Sequence, residues 1–170
     1  MRTLETSRLI IDELTINDAK FILQILNDSD FIHYVADRGI RTEAAARDYL
    51  VDRVMASYRE HGFGMAAVRR KDSGETIGMC GLVKRESLQH VDIGYAFLPE
   101  VRGKGYASEA VLATVQMARD DFGLSRLVAI IHPDNKPSRA LAEKIGMHFD
   151  TMIRLDIDED KICLYLLNIS

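Results

Sequence analysis

The sequence predicts a mixed α/β domain, and three observations carry that expectation. Apolar residues recur at helical spacing in the first third, then change to strand-like runs separated by short turns. A glycine-bearing turn, Arg102-Gly103-Lys104-Gly105-Tyr106-Ala107, stands where a strand passes into a long helix. Leu127 to Ile131 is a continuous apolar run rich in β-branched residues, as expected of a buried strand.

Taken in order, Leu9-Ile10-Ile11 reads as a short first strand. Asn17-Asp18 can cap a helix whose apolar stripe is Phe21, Ile22, Ile25 and Leu26. Thr42-Glu43 opens a second helix running to about Arg59, with Ala46, Tyr49, Leu50, Val54 and Tyr58 inward and Gly62 as its left-handed stop. Phe63 to Val68, Thr76 to Val83 and about His90 to Leu98 form an antiparallel meander, the first two joined through Lys71-Asp72-Ser73-Gly74. The glycine turn then starts a helix to about Phe122, with Val111, Leu112, Val115 and Met117-Ala118 on its apolar side. After the buried strand, Pro137 sits in the first turn of another helix that ends at Gly146. His148 to Leu155 and Ile162 to Leu167 close the chain as a hairpin.

The 170 residues fit one ordinary domain, 1–170, able to bury roughly 70% of the unfolded surface. With 47% hydrophobic and 28% charged residues, disorder and low-complexity arrays are excluded. A net charge of −4 leaves no broad basic face for nucleic acid. Cys80 and Cys163 lie in apolar stretches, as two reduced core thiols would, and do not make a disulfide scaffold. Five scattered His residues and two distant Cys give no metal-ligand spacing, so no metal is expected. The first residues lack the apolar core of a signal peptide and no run approaches a membrane span. A cytoplasmic protein without a membrane partner is the expectation, as a monomer or homodimer, with no coiled-coil seam.

The turn at 102–107 has the properties of an anion site. Two glycines let the backbone approach a ligand, and the first turn of the following helix offers unpaired N–H groups at the positive end of its dipole. Arg102 and Lys104 add cations. A tight turn with solvated basic residues would read the same way. No Gly-Lys-Ser/Thr ends the loop, and the three-glycine dinucleotide fingerprint is absent, which disfavours those two cofactor classes.

This loop after the Ile93-Gly94-Tyr95 strand, together with the block Asn135-Lys136-Pro137-Ser138-Arg139-Ala140-Leu141-Ala142-Glu143-Lys144-Ile145-Gly146-Met147, resembles the GNAT superfamily of acetyl-CoA-dependent N-acetyltransferases. That family's acyl-CoA motif is Arg or Gln, two residues, Gly, one residue, then Gly or Ala, met here by Arg102, Gly105 and Ala107. Thr6-Ser7-Arg8-Leu9-Ile10-Ile11 resembles the opening of its ribosomal-protein alanine acetyltransferase-like subgroup. The resemblance implies a mostly antiparallel twisted sheet of about seven strands, splayed between the fourth and fifth and flanked by about four helices. It also implies that Phe97 and Leu98 offer backbone groups to the pantetheine arm. Amides across Arg102, Gly103, Lys104, Gly105, Tyr106 and Ala107, with Ser108, would hold the pyrophosphate. Asn135 would bond the pantetheine or the cofactor's far end, or cap its helix, or both. Lys144 would reach a phosphate.

For the chemistry, many members carry a Tyr just before the Glu-Lys pair as proton donor, where this chain has Ala142. In the subgroup a Ser of the same block takes the role, which implies Ser138. Asp92 falls where several members carry an acid acting on the amine, and it is one methylene shorter than the expected Glu. His33, Tyr34 and Tyr95 would line the acceptor groove. The hairpin tip Asp156, Asp158, Glu159 and Asp160 would draw a cationic end, or simply be solvated. The activity implied is acetyl transfer by direct attack of a primary amine, a protein N-terminal α-amine first among acceptors. Small amines (polyamines, amino acids, antibiotics) and a non-catalytic acyl-CoA-binding regulatory module are the alternatives.

Overall fold

The computed structural model describes residues 1–170. Its centre is one sheet of eight strands in the order β1-β2-β3-β4-β5-β6-β8-β7. The strands are β1 (Leu4–Glu5), β2 (Leu9–Glu13), β3 (Met65–Arg70), β4 (Thr76–Val83), β5 (Val91–Phe97), β6 (Arg126–Ile131), β7 (His148–Ile153) and β8 (Ile162–Asn168). All neighbours pair antiparallel except β5 and β6.

That exception makes the cleft. β5 and β6 share only the pairs Val91↔Leu127 and Asp92↔Val128, and beyond them the strands part. The splay expected between the fourth and fifth strands lies here, shifted by one because the two-residue β1 precedes the expected first strand.

Six α-helical segments cover the sheet: α1 (Ala19–Leu26), α2 (Ser29–Tyr34), α3 (Glu43–Tyr49), α4 (Met55–His61), α5 (Tyr106–Asp120) and α6 (Lys136–Lys144). α3 and α4 run on through a π-helical turn at Leu50–Val54, and together form the expected second helix. Its stop is Gly62, at φ 76°. Helix α2 was not expected, because six residues carry too little periodicity to stand out. Asp18 stands at the N-cap of α1 as expected, but its side chain does not bond into that helix and instead turns back to Thr15. Thr15 and Asp18 form a reciprocal capping box around the 3₁₀ turn Ile16–Asp18.

Along α5 the buried residues are Ala110, Val111, Thr114, Met117 and Ala118, at the i, i+4, i+7 spacing of one face. Leu112, expected on that side, is 54% exposed, since it falls about a hundred degrees round the helix from Val111. Thr114 takes its place, returning its hydroxyl to Ala110 O (2.9 Å) and meeting Cys80 Sγ on β4 at 3.4 Å. Both cysteines are free and buried. All the buried apolar side chains except Leu88 and Val128 form one continuous cluster.

Candidate active site

The glycine turn leads into α5 through Gly103 and Gly105, at φ 76° and 83°. At those angles a side chain would be strained, so glycine is required twice in three residues. The result is a run of bare amides. No N–H from Gly103 to Ser108 meets an acceptor in the protein, and no side chain caps the helix. These donors converge at the positive end of a fifteen-residue helix, which suits a diphosphate. The Arg102 amide does not join them, because it bonds to Pro99 O at 3.3 Å.

The two cations of the loop are engaged elsewhere. Arg102 donates Nη2 to Asp28 Oδ2 (2.8 Å), Nη1 to Asp30 and Nε to Phe97 O (3.0 Å). It therefore ties the end of β5 to the start of α2, where Asp28 is the N-cap. Lys104 donates Nζ to Glu100 O at 3.1 Å. Of the strand end expected to face the pantetheine, Leu98 gives its N–H to Ile77 O and its carbonyl to Val101 N. Phe97 O is the acceptor of Arg102, so neither residue is as free as its position in the chain suggests.

Ser138 and Tyr95 come together. Ser138 Oγ donates to Tyr95 Oη at 3.1 Å, and Tyr95 Oη donates to Ser138 O at 3.0 Å. Burial pushes the phenol up to about 12, so it keeps its proton. Tyr95, expected on the acceptor groove, is thus bound to the first turn of α6. Asn135 caps that turn, its Oδ1 accepting from Ser138 N (3.2 Å), which leaves its amide nitrogen for a ligand. Lys144 is exposed at the other end of α6, about 13 Å along the axis. Ala142 is fully buried and adds no polar group.

Asp92 belongs to the last paired position before β5 and β6 part, at the vertex of the cleft. It is 2% exposed; Arg85 Nε donates to its Oδ2 at 2.9 Å, while buried Oδ1 has no partner. Burial raises its pKa against the pull of Arg85. Cys80 faces α5 and is registered with Tyr95, so Tyr95 shares that face. Asp92, three residues earlier on the strand, belongs to the opposite face. The acid and the hydroxyl pair therefore flank the cleft from different faces of the sheet.

His33 and Tyr34 also come together, ring centroids 4.6 Å apart, and a third ring joins them. His132, just past β6, lies 5.9 Å from His33 and 5.5 Å from Tyr34. Asp134 N donates to His132 Nδ1 at 3.1 Å, so the neutral ring carries its proton on Nε2 and offers a donor there. The sequence did not single out His132, Arg85 or Arg8. The signal for His132 was a His-Pro step ending the buried run, at the mouth of any cleft that strand would border. The acidic hairpin tip lies far out on β7–β8, with Ile157 at 83% exposure.

A glycine loop between a diverging strand and a helix, with its amides unpaired, defines an anion-binding type of α/β domain, and comparison gives the family. Residues 8–148 match the acetyltransferase (GNAT) domain. The chain belongs to the GNAT family and is an acyltransferase of it. It is 32% identical over 132 residues to the uncharacterized protein YkkB of Bacillus subtilis, covering 76% of this chain and 75% of that one. It is 30% identical over 142 residues to the uncharacterized N-acetyltransferase YnaD of the same organism (84% and 80% covered). RimL, a ribosomal L7/L12 α-N-protein acetyltransferase solved with coenzyme A, superposes with a TM-score of 0.84 over 98% of each chain at 15% identity, a likeness of fold. No helix is long and apolar enough to cross a membrane.

Proposed function

We propose that this chain transfers the acetyl group of acetyl-CoA to a primary amine, with a protein N-terminal α-amine as the leading acceptor class. The observation that carries the reading is the run of unpaired amides from Gly103 to Ser108 at the start of α5. Acetyl-CoA supplies an acetyl group activated as a thioester. The loop holds its diphosphate and the parted strands receive the arm, so that binding energy is used to place the acetyl carbon. Asn135 offers its free amide nitrogen to the arm.

Asp92 takes the proton that the amine sheds as the C–N bond forms, through Oδ1 and an intervening water. Ser138 and Tyr95 meet the sulfur as the C–S bond breaks. For that contact one of the two hydroxyls turns its single O–H from its partner within the protein to the sulfur, and keeps the proton. A phenol near 12 facing a thiol near 8.5 would make the transfer uphill by about 5 kcal/mol. The thiolate needs no acid at that pKa, and solvent protonates it later.

One shortened, buried acid is modest equipment, and that supports the α-amine. Freeing a lysine-like amine at pH 7 costs roughly 4–5 kcal/mol, an α-amine near 7.8 only about 1. The shared fold with RimL supports the same acceptor class. The cluster of His33, Tyr34 and His132 would border the incoming chain end. A small amine is the second reading, favoured by the half-exposed rings of that cluster, which suit a cation.

The test is calorimetric titration of wild type and Gly105→Glu with acetyl-CoA. Glutamate would be strained at φ 83° and would put a carboxylate among the amides. Wild-type binding lost in the folded variant is the expected result. Thiol release with peptides, polyamines and amino acids then ranks the acceptors. Equal binding by both proteins, or none by either, overturns the reading.

A further inference from the structure

Glu109 stands in the first turn of α5, beside the amides assigned above to a diphosphate. An ionised carboxylate there would repel such a ligand and oppose the helix dipole that attracts it. Burial works against its charge, but hydrogen bonds outweigh that and hold it down to about 2. They come from one short segment at the other end of the chain. Thr6 Oγ1 (2.6 Å), Ser7 Oγ (3.1 Å) and Arg8 N (2.9 Å) donate to Oε1, and Arg8 Nε (2.7 Å) to Oε2.

The same guanidinium also grips the loop. Arg8 Nη1 donates to Lys104 O at 3.0 Å, and Cζ lies 4.4 Å from the centre of the Tyr106 ring. Its Nη2 is 3.3 Å from where a Cβ on Gly105 would be. Arg8 thus contacts Lys104 and Tyr106 and lies where a side chain on Gly105 would point, while neutralising the one acid behind it. The Coulomb and the geometric contributions both fall on the diphosphate site.

We infer that Arg8 and Glu109 form a charge-compensated brace that sets the affinity of the 103–108 amides for a diphosphate-bearing ligand. Arg8 is a positioning residue, and Glu109 is a liability that Arg8 cancels. The inference rests on the diphosphate reading of the loop given above.

A rescue experiment separates this from a merely structural role. Acetyl-CoA affinity is measured by calorimetry for wild type, Arg8→Ala, Glu109→Gln and the double variant, each checked for a cooperative melt. Arg8→Ala should weaken binding about tenfold, and adding Glu109→Gln should recover most of that loss, because the uncompensated charge is gone. In turnover, Arg8→Ala should penalise acetyl-CoA about tenfold more than acetyl-pantetheine, which has no diphosphate. A double variant that binds no better than Arg8→Ala, or equal penalties on the two donors, overturns the brace. If Arg8→Ala binds like wild type while Gly105→Glu does not bind, the brace alone fails. If wild type does not bind acetyl-CoA, the loop reading fails and the brace with it.

Discussion

The hydroxyl of Ser138 donates to that of Tyr95 at 3.1 Å, and the phenol returns its own proton to the carbonyl of Ser138 at 3.0 Å. A residue of β5 and one in the first turn of α6 are thereby fixed as one unit.

If that unit hydrogen-bonds a departing thiolate, Tyr95→Phe and Ser138→Ala should each lower kcat about tenfold, roughly the worth of one hydrogen bond to a charge. The KM for acetyl-CoA should change little. The double variant should be no slower than the slower single one, because each change breaks the same chain. Additive losses in steady-state kinetics would mean two independent roles.

His33, Tyr34 and His132 form a cluster that carries no cofactor contact in the proposed site. His132→Ala should raise the acceptor KM about three- to tenfold and leave that of acetyl-CoA within about twofold. A matching rise in both would place the ring on the cofactor side of the cleft.

Glu109 makes stability depend on acid. Its pKa falls from 4.5 to about 2 on folding, so between those values the unfolded chain binds more protons. The stabilisation is present in full above about 4.5 and is lost as pH falls toward about 2. Thermal melts of Glu109→Gln against wild type should show a deficit at about pH 6 that narrows by about pH 3. A constant deficit would mean the carboxylate's charge contributes nothing.

Gly81 in β4 has no room for a side chain. A Cβ there would meet Gly64 O inside contact distance and Met65 Cα at 2.6 Å, both backbone atoms of the neighbouring chain segment. Gly81→Ala should cost about 3 kcal/mol, a fall of roughly 6–12 °C in Tm. An unchanged melt would show that the strands can part without penalty.

Arg102 holds Asp28 and Asp30 to the end of β5, and the Asp28 side chain is only 10% exposed. Arg102→Ala should destabilise the fold by about 1–3 kcal/mol, because it leaves a partly buried carboxylate without its cation. Lys104→Ala, whose ammonium meets only a carbonyl, should melt like wild type. Differential scanning calorimetry compares the two directly.

The elements of this protein are legible in the sequence because each rests on local physics. The stripe Phe21, Ile22, Ile25 and Leu26, the left-handed stop at Gly62 and the two glycines of the 102–107 turn are set by residues within a turn or two of one another. The loop's run of unpaired amides follows from the same local geometry.

Only the tertiary structure decided how the candidate chemistry is shared out. The splay exists because β5 and β6 pair at two positions and then part, and nothing within either strand states where pairing stops. Asp92 meets Arg85, Tyr95 meets Ser138, His132 meets His33 and Arg8 meets Glu109 through register and packing. The loop cations, free by sequence, are claimed by Asp28, Asp30 and Glu100 O for the same reason. Arg85 and Asp92 are seven residues apart and Lys104 and Glu100 four, but the other partners are separated by tens of residues in the chain, so no local pattern records them. Their pairing is fixed by which faces the core must bury.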